Sequence, residues 1–157
     1  MDSTLIPRIA ERLLARKHWL ATAESCTGGM IAQLLTSIAG SSEWFERGLV
    51  TYSNRAKVEL LDVSQVVIGR HGAVSRETAE AMALGMLANA PVQWAISVTG
   101  IAGPSGGSKD KPVGTVWIGV AHTGAVEARH FLFKGDREGI RRQSAEAALA
   151  MLDARLS

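Results

Sequence analysis

Three short apolar runs, Trp19–Glu24 (WLATAE), Trp44–Ser53 (WFERGLVTYS) and Val92–Thr99 (VQWAISVT), alternate with segments whose apolar residues recur at helical spacing. Such alternation points to a sheet whose crossovers are helices. Ahead of the first run, Leu5, Ile9, Leu13 and Leu14, with Ile6 and Ala10 beside them, predict an amphipathic helix from about Ser3 to Lys17. Met30, Ile31, Leu34, Leu35 and Ile38 predict a second helix, opening just after Ser25 and stopped by Gly40. Asn54–Leu61 (NRAKVELL) reads as a short helix capped most simply by Asn54, and Ser64–Val74 as a loop. Ser75 suits the N-cap of a long helix with Ala79, Met82, Ala83, Met86 and Leu87 inward. Beyond the third run, Ile101–Pro112 is a glycine-rich loop. Val113–Ala121 and Val126–Phe133 flank a turn at His122–Ala125 and read as a β-hairpin. A last helix runs from Asp136 to the end, with Ile140, Ala148, Met151 and Leu152 on its inner face. The expected fold is α/β: a three-layer α/β/α sandwich on a mixed, mostly parallel sheet with a late antiparallel hairpin. One domain is expected across residues 1–157, because no internal repeat or long linker interrupts the pattern.

The charge balance narrows the function. Seventeen Lys and Arg against 15 Asp and Glu leave a formal charge of +2, too little for a grip on duplex DNA, where several phosphates must be neutralised. No nucleic-acid partner is therefore expected. The single cysteine, Cys26, makes neither an internal disulfide nor a cysteine-rich zinc site. His18, His71, His122 and His130 show no metal-ligand spacing, so neither a metal nor a cofactor is expected. No stretch approaches the ~18 apolar residues of a membrane span. The N-terminal segment is interleaved with Arg8, Glu11, Arg12, Arg16 and Lys17, which argues against a signal peptide and for a cytoplasmic protein.

Chemistry has four places to live. In the first, a strand leads through Glu24-Ser25-Cys26-Thr27-Gly28-Gly29 into a helix, which is where open α/β sheets bind ligands. Ser25 there suits a nucleophile with an oxyanion hole beside it; the same turn suits a phosphate cradle, or simply a capped turn. Gly28 and Gly29 would let a ligand approach the main chain. Cys26 is a reactive thiol or a small buried hydrophobe. The second place is Tyr52–Lys57 (YSNRAK). A serine hydroxyl needs a base, and a lysine can serve if its pKa is depressed; a tyrosine can relay the proton. The third is the loop after Thr99, where Thr99 offers a hydroxyl and Gly100 and Gly103 permit close approach. The fourth is Gly135–Ser144 (GDREGIRRQS), in which Arg137 is placed to clamp a phosphate.

Taken in order, the blocks TAESCTGG, GLVTYSNRAK, HGAVSRETA, SVTGIAGPSGGSKDKPVGTVWIG and GDREGIR resemble the CinA C-terminal domain family, whose best understood members are nicotinamide-nucleotide amidohydrolases of the PncC type. The resemblance covers Thr22 to about Ser144. It implies a metal-independent deamidase that converts nicotinamide mononucleotide (NMN) to nicotinic acid mononucleotide and ammonia, in pyridine nucleotide recycling. The family's nucleophile falls on Ser25, and its tyrosine and lysine on Tyr52 and Lys57. Its threonine falls on Thr99, and its phosphate-side arginine on Arg137, with Arg141 close enough to compete. Ser42, or Ser41 in another alignment, is a further candidate. Thr27, Gly28, Gly29, Gly100 and Gly103 complete the expected substrate-binding set. The resemblance also implies an oligomer, and a homodimer is expected. Two other readings compete: a non-catalytic nucleotide-binding module linked to competence, and a Ser-Lys amidase of another substrate range. Against the second, the position three after Ser25 is Gly28 rather than lysine.

Overall fold

A computed structural model describes all 157 residues. In chain order the elements are α1 (Leu5–Arg16), β1 (Leu20–Glu24), α2 (Met30–Thr36), β2 (Phe45–Val50), α3 (Asn54–Leu61), α4 (Gln65–His71), α5 (Arg76–Asn89), β3 (Trp94–Gly100), β4 (Thr115–His122), β5 (Ala125–Leu132) and α6 (Arg137–Leu156). A single 3₁₀ turn occupies Ser41–Glu43 ahead of β2. The sheet order is β2-β1-β3-β4-β5. β1 pairs in parallel with β2 and β3, and β4 pairs antiparallel with β3 and β5, so β4 alone runs against the other strands.

Alternation along the strands divides large from small side chains. Leu20, Trp94, Ile96, Val98, Ile118 and Val120 face α1, α2 and α6, forming the larger core. Each fully buried Leu, Ile or Val there contributes about 1.5–3 kcal/mol. The opposite face is lined by Ala21, Ala23, Ala95 and Ala121 and receives Met82, Ala83 and Met86 of α5. Small residues there let α5 lie close to the sheet. A Cβ on Gly119 would stand 3.0 Å from the Ala79 carbonyl oxygen of α5. Ser97 Oγ uses that proximity to donate to the same carbonyl at 2.6 Å. The first and last helices are tied together where Arg8 and Arg12 of α1 meet Asp153 of α6 at 2.9 and 2.7 Å.

Local chemistry corrects several sequence expectations. The second helix starts at Met30, not just after Ser25, because Gly28 (φ +60°) and Gly29 (φ +100°) are left-handed and a right-handed helix cannot pass through them. It also ends at Thr36, before Gly40. The Thr36 and Ser37 hydroxyls turn back there onto the carbonyls of Ala32 and Leu34. Ser53 rather than Asn54 caps α3, accepting from the Ala56 amide at 3.0 Å. The expected loop at Ser64–Val74 holds α4, capped by Ser64 and buried only at Ile68, so its apolar periodicity was too short to read. Ser75 caps α5 as expected, accepting from Thr78 N, although Leu87 is only half-buried.

The chain leaves the C-terminal ends of β1 and β2 toward opposite faces, by α2 on one side and α3–α5 on the other. Open α/β sheets bind ligands in the crevice that such divergence creates.

Candidate active site

Ser25 is the first residue beyond β1, and the sheet holds it from both sides. Its N–H donates to Val98 O of β3 at 3.0 Å, and the preceding Glu24 O accepts from Thr51 N, just past β2, at 2.8 Å. Four residues into α3, Lys57 reaches back under that helix's own start. Its Nζ lies 3.1 Å from Ser25 Oγ, 2.9 Å from Thr51 O and 3.2 Å from Tyr52 O. The side chain is 1% exposed, and its partners are these neutral oxygens rather than a carboxylate. Burial pulls its pKa below that of an ordinary lysine, and outweighs the opposing influence of Cys26.

The cleft around this pair has a volume of about 340 Å³. Of the residues expected from sequence, Ser25, Tyr52, Lys57, Thr99, Gly100, Gly103 and Arg137 line it. Thr99 spends its hydroxyl on Ala73 O at 2.8 Å, fixing the opposite wall formed by Ala73 and Val74. Gly100 is required by crowding: a Cβ there would lie 2.7 Å from Val116 Cγ2 and 3.1 Å from Cys26 Sγ. Arg137 bridges the mouth, donating to Gly103 O at 2.7 Å and to the Tyr52 hydroxyl at 3.2 Å.

Several expected residues play other parts. The Tyr52 side chain is 60% exposed and its hydroxyl bonds Arg137; only its backbone carbonyl meets Ser25 and Lys57. A relay of the Ser25 proton through that hydroxyl therefore has no hydrogen-bonded route. Arg141 does not line the cleft, and its guanidinium is spent on the carbonyls of Cys26 (3.1 Å) and Thr27 (3.0 Å). Gly28 admits that guanidinium rather than a ligand: a Cβ would stand 3.2 Å from Arg141 Nη2. Gly29 faces Val50, and Thr27 is fully buried with its hydroxyl on Glu24. Ser42 sits before β2, at the end of the sheet opposite the cleft. The phosphate-cradle reading of the turn also gives way. The Ile31 and Ala32 amides at the start of α2 already donate to the Glu24 carboxylate, at 2.9 and 3.0 Å. Cys26 is buried and its thiol is pushed up to about 11, chiefly by desolvation, which makes it an inert small hydrophobe.

Sequence reasoning passed over Asn54, Ser105 and Gly106, which line the cleft, and Glu24, which organises the turn. Asn54 and Glu24 stood inside motifs already singled out. What hid them was the lack of any sign of which way each side chain points.

The family model of the CinA C-terminal domain matches residues 2–156. The chain belongs to that family. Among the relatives of this CinA-type domain is a protein of Enterobacter agglomerans named nicotinamide-nucleotide amidohydrolase PncC. It is 54% identical over 142 residues, covering 90% of this chain and 87% of its own. The protein of the same name from Escherichia coli K12 is 48% identical over 149 residues, covering 94% and 90%. A putative competence-damage inducible protein of Caldicellulosiruptor bescii is 48% identical over 153 residues, 97% of this chain but only 37% of that longer protein. Among solved structures, the competence/damage inducible protein of Agrobacterium tumefaciens superposes on the CinA-type domain with a TM-score of 0.93 at 44% identity, covering 96% of this chain and 92% of the other.

Proposed function

We propose that this chain hydrolyses the carboxamide of NMN to nicotinic acid mononucleotide and ammonia, with Ser25 as nucleophile and Lys57 as its base. The observation that carries the reading is the buried 3.1 Å contact between Lys57 Nζ and Ser25 Oγ, with the Thr51 and Tyr52 carbonyls as the other two partners of the amine. A neutral amine has two N–H donors and one lone pair. With both donors given to those carbonyls, the lone pair is left facing Ser25 Oγ–H. Burial favours that neutral form, and the positive pyridinium ring of the substrate favours it further.

Ser25 Oγ adds to the carboxamide carbon as its proton passes directly to Lys57. Cys26, the residue after the nucleophile, lines the cleft and its N–H donates to no carbonyl, so that N–H is the oxyanion donor of this scheme. Lys57 then protonates the departing amine, and the C–N bond breaks to release ammonia and leave an ester on Ser25. Water, deprotonated by Lys57, cleaves that ester, and the proton returns to Ser25. Arg137 at the mouth takes the 5′-phosphate by exchanging its Tyr52 or Gly103 bond for a charge-assisted one.

The test is ammonia release from NMN by the purified protein in the presence of chelator. Activity is expected with wild type, a strong preference for NMN over nicotinamide riboside, and loss with Ser25→Ala. Wild-type turnover by Ser25→Ala would falsify the scheme; binding of NMN without ammonia release would favour the non-catalytic module.

A further inference from the structure

The turn that carries Ser25 is gripped from both sides by a pair of ionisable side chains that do not line the cleft. On the inner side stands Glu24, 1% exposed. Its Oε1 accepts from Thr27 Oγ1 at 2.6 Å and from Ile31 N at 2.9 Å, and its Oε2 accepts from Ala32 N at 3.0 Å. On the outer side Arg141, one helical turn after Arg137 on α6, donates to the carbonyls of Cys26 and Thr27. Within the turn, Gly28 N donates to Ser25 O at 3.0 Å.

These bonds fix peptide planes. In a trans peptide the C=O and the following N–H point in opposite directions. Drawing Ser25 O toward Gly28 N therefore turns the Cys26 N–H the other way. Arg141 then holds the next two carbonyls, while the Thr27 hydroxyl anchors the middle of the turn to Glu24. Besides Gly28 N–Ser25 O, the only backbone bond inside the turn is Met30 N–Thr27 O at 3.1 Å, so these side-chain contacts supply the rest of its bracing.

We propose that Glu24, Thr27 and Arg141 are positioning residues for the nucleophile: they hold Ser25 Oγ against Lys57 and keep the Cys26 amide aimed as the oxyanion donor. This rests on the deamidase reading above. None of the three lines the cleft, so their effect falls on the rate of the chemical step and not on substrate affinity. Displacing reacting groups by about 1 Å costs on the order of 100-fold in rate.

The experiment compares steady-state ammonia release from NMN by wild type, Glu24→Gln, Thr27→Val, Thr27→Ser and Arg141→Met, with melting temperature measured alongside. If wild type itself releases no ammonia, the deamidase reading falls and takes this proposal with it. Given an active wild type, Glu24→Gln and Thr27→Val are expected to lower kcat by about 10- to 100-fold with KM within two-fold. Glutamine puts an amide N–H against a backbone N–H, and valine deletes the hydroxyl. Thr27→Ser, which keeps the hydroxyl, is expected to recover at least ten-fold of what Thr27→Val loses. Should Glu24→Gln not fold, the Thr27 pair and Arg141→Met carry the test. A lowered melting temperature with wild-type kcat in the folded protein overturns the proposal, because the contacts would then serve stability alone. A raised KM at constant kcat also overturns it, by placing these residues in substrate binding.

Discussion

A lysine without a carboxylate partner is an expensive thing to bury, and Lys57 is buried against three neutral oxygens. Its lowered pKa has a direct kinetic consequence. As the proposed base, Lys57 must be neutral to accept the Ser25 proton, so kcat/KM for ammonia release is expected to rise with pH through the Lys57 pKa and to level off above it. That limb lies on the acid side of lysine's ordinary pKa of 10.5. Lys57→Arg, whose guanidinium stays protonated, is expected to lose at least about 100-fold at every pH. A pH–rate profile with no ascending limb, or full activity in Lys57→Arg, would assign the base elsewhere. At this scale the sequence was informative about type and poor about direction. Ser25, Lys57 and Arg137 stood in their motifs, and the cleft unites them. Tyr52 and Arg141 stood in theirs too, but a rotamer turns one hydroxyl toward Arg137, and a further helical turn along α6 carries one guanidinium to the back of the turn.

Helix α3 delivers Lys57, and what holds α3 in place is its contact with α5. Gly85 of α5 sits under the last carbonyl of α3, where an added Cβ would overlap Leu61 O. In an exposed helix, Gly→Ala gains about 1 kcal/mol. Against backbone the overlap dominates, because a carbonyl cannot swing aside as a flexible side chain can. Gly85→Ala is therefore expected to destabilise by about 2 kcal/mol, read as a lower urea midpoint. Because α3, which carries the proposed base, must shift to relieve it, ammonia release is expected to fall as well. An unchanged midpoint would show that the two helices slide freely. Elements were the most legible level in the sequence. The α3 span matched residue for residue, and the hairpin and last helix fell within a residue or two, because long periodic or alternating patterns announce themselves. The short α4 and the delayed start of α2 were not legible: one buries a single residue, and the other waits on two left-handed glycines.

At the end of the sheet away from the cleft, His18 Nδ1 accepts from Trp94 Nε1 at 3.0 Å, and Trp94 stacks on His122 at 3.8 Å. His122 Nδ1 is bonded to Gln93 O. Desolvation first, then His122 and Arg16, lower the His18 pKa from 6.5. The unfolded chain therefore takes up a proton near pH 6.5 that the folded protein resists. The His18 contribution to stability is fully present above that pH and is lost as the pH falls from about 6.5 toward the lowered folded value. Urea denaturation between pH 7.5 and 5 (roughly one decade either side of histidine's usual pKa) is expected to show that loss. It should be smaller in His18→Gln, which keeps an acceptor for Trp94 without the titration. An equal slope in both proteins would place the acid sensitivity elsewhere.

Helix α6 supplies both the arginine at the cleft mouth and the one behind the nucleophile turn, and it closes against α1 through Asp153. It is also translated after every other element of the domain. While the chain is being made, Ser25 and Lys57 exist long before either arginine does. On the proposed mechanism, a growing polypeptide thus holds both reacting side chains before either arginine is there to brace the turn or bridge the mouth. On that reading, docking of α6 completes the site.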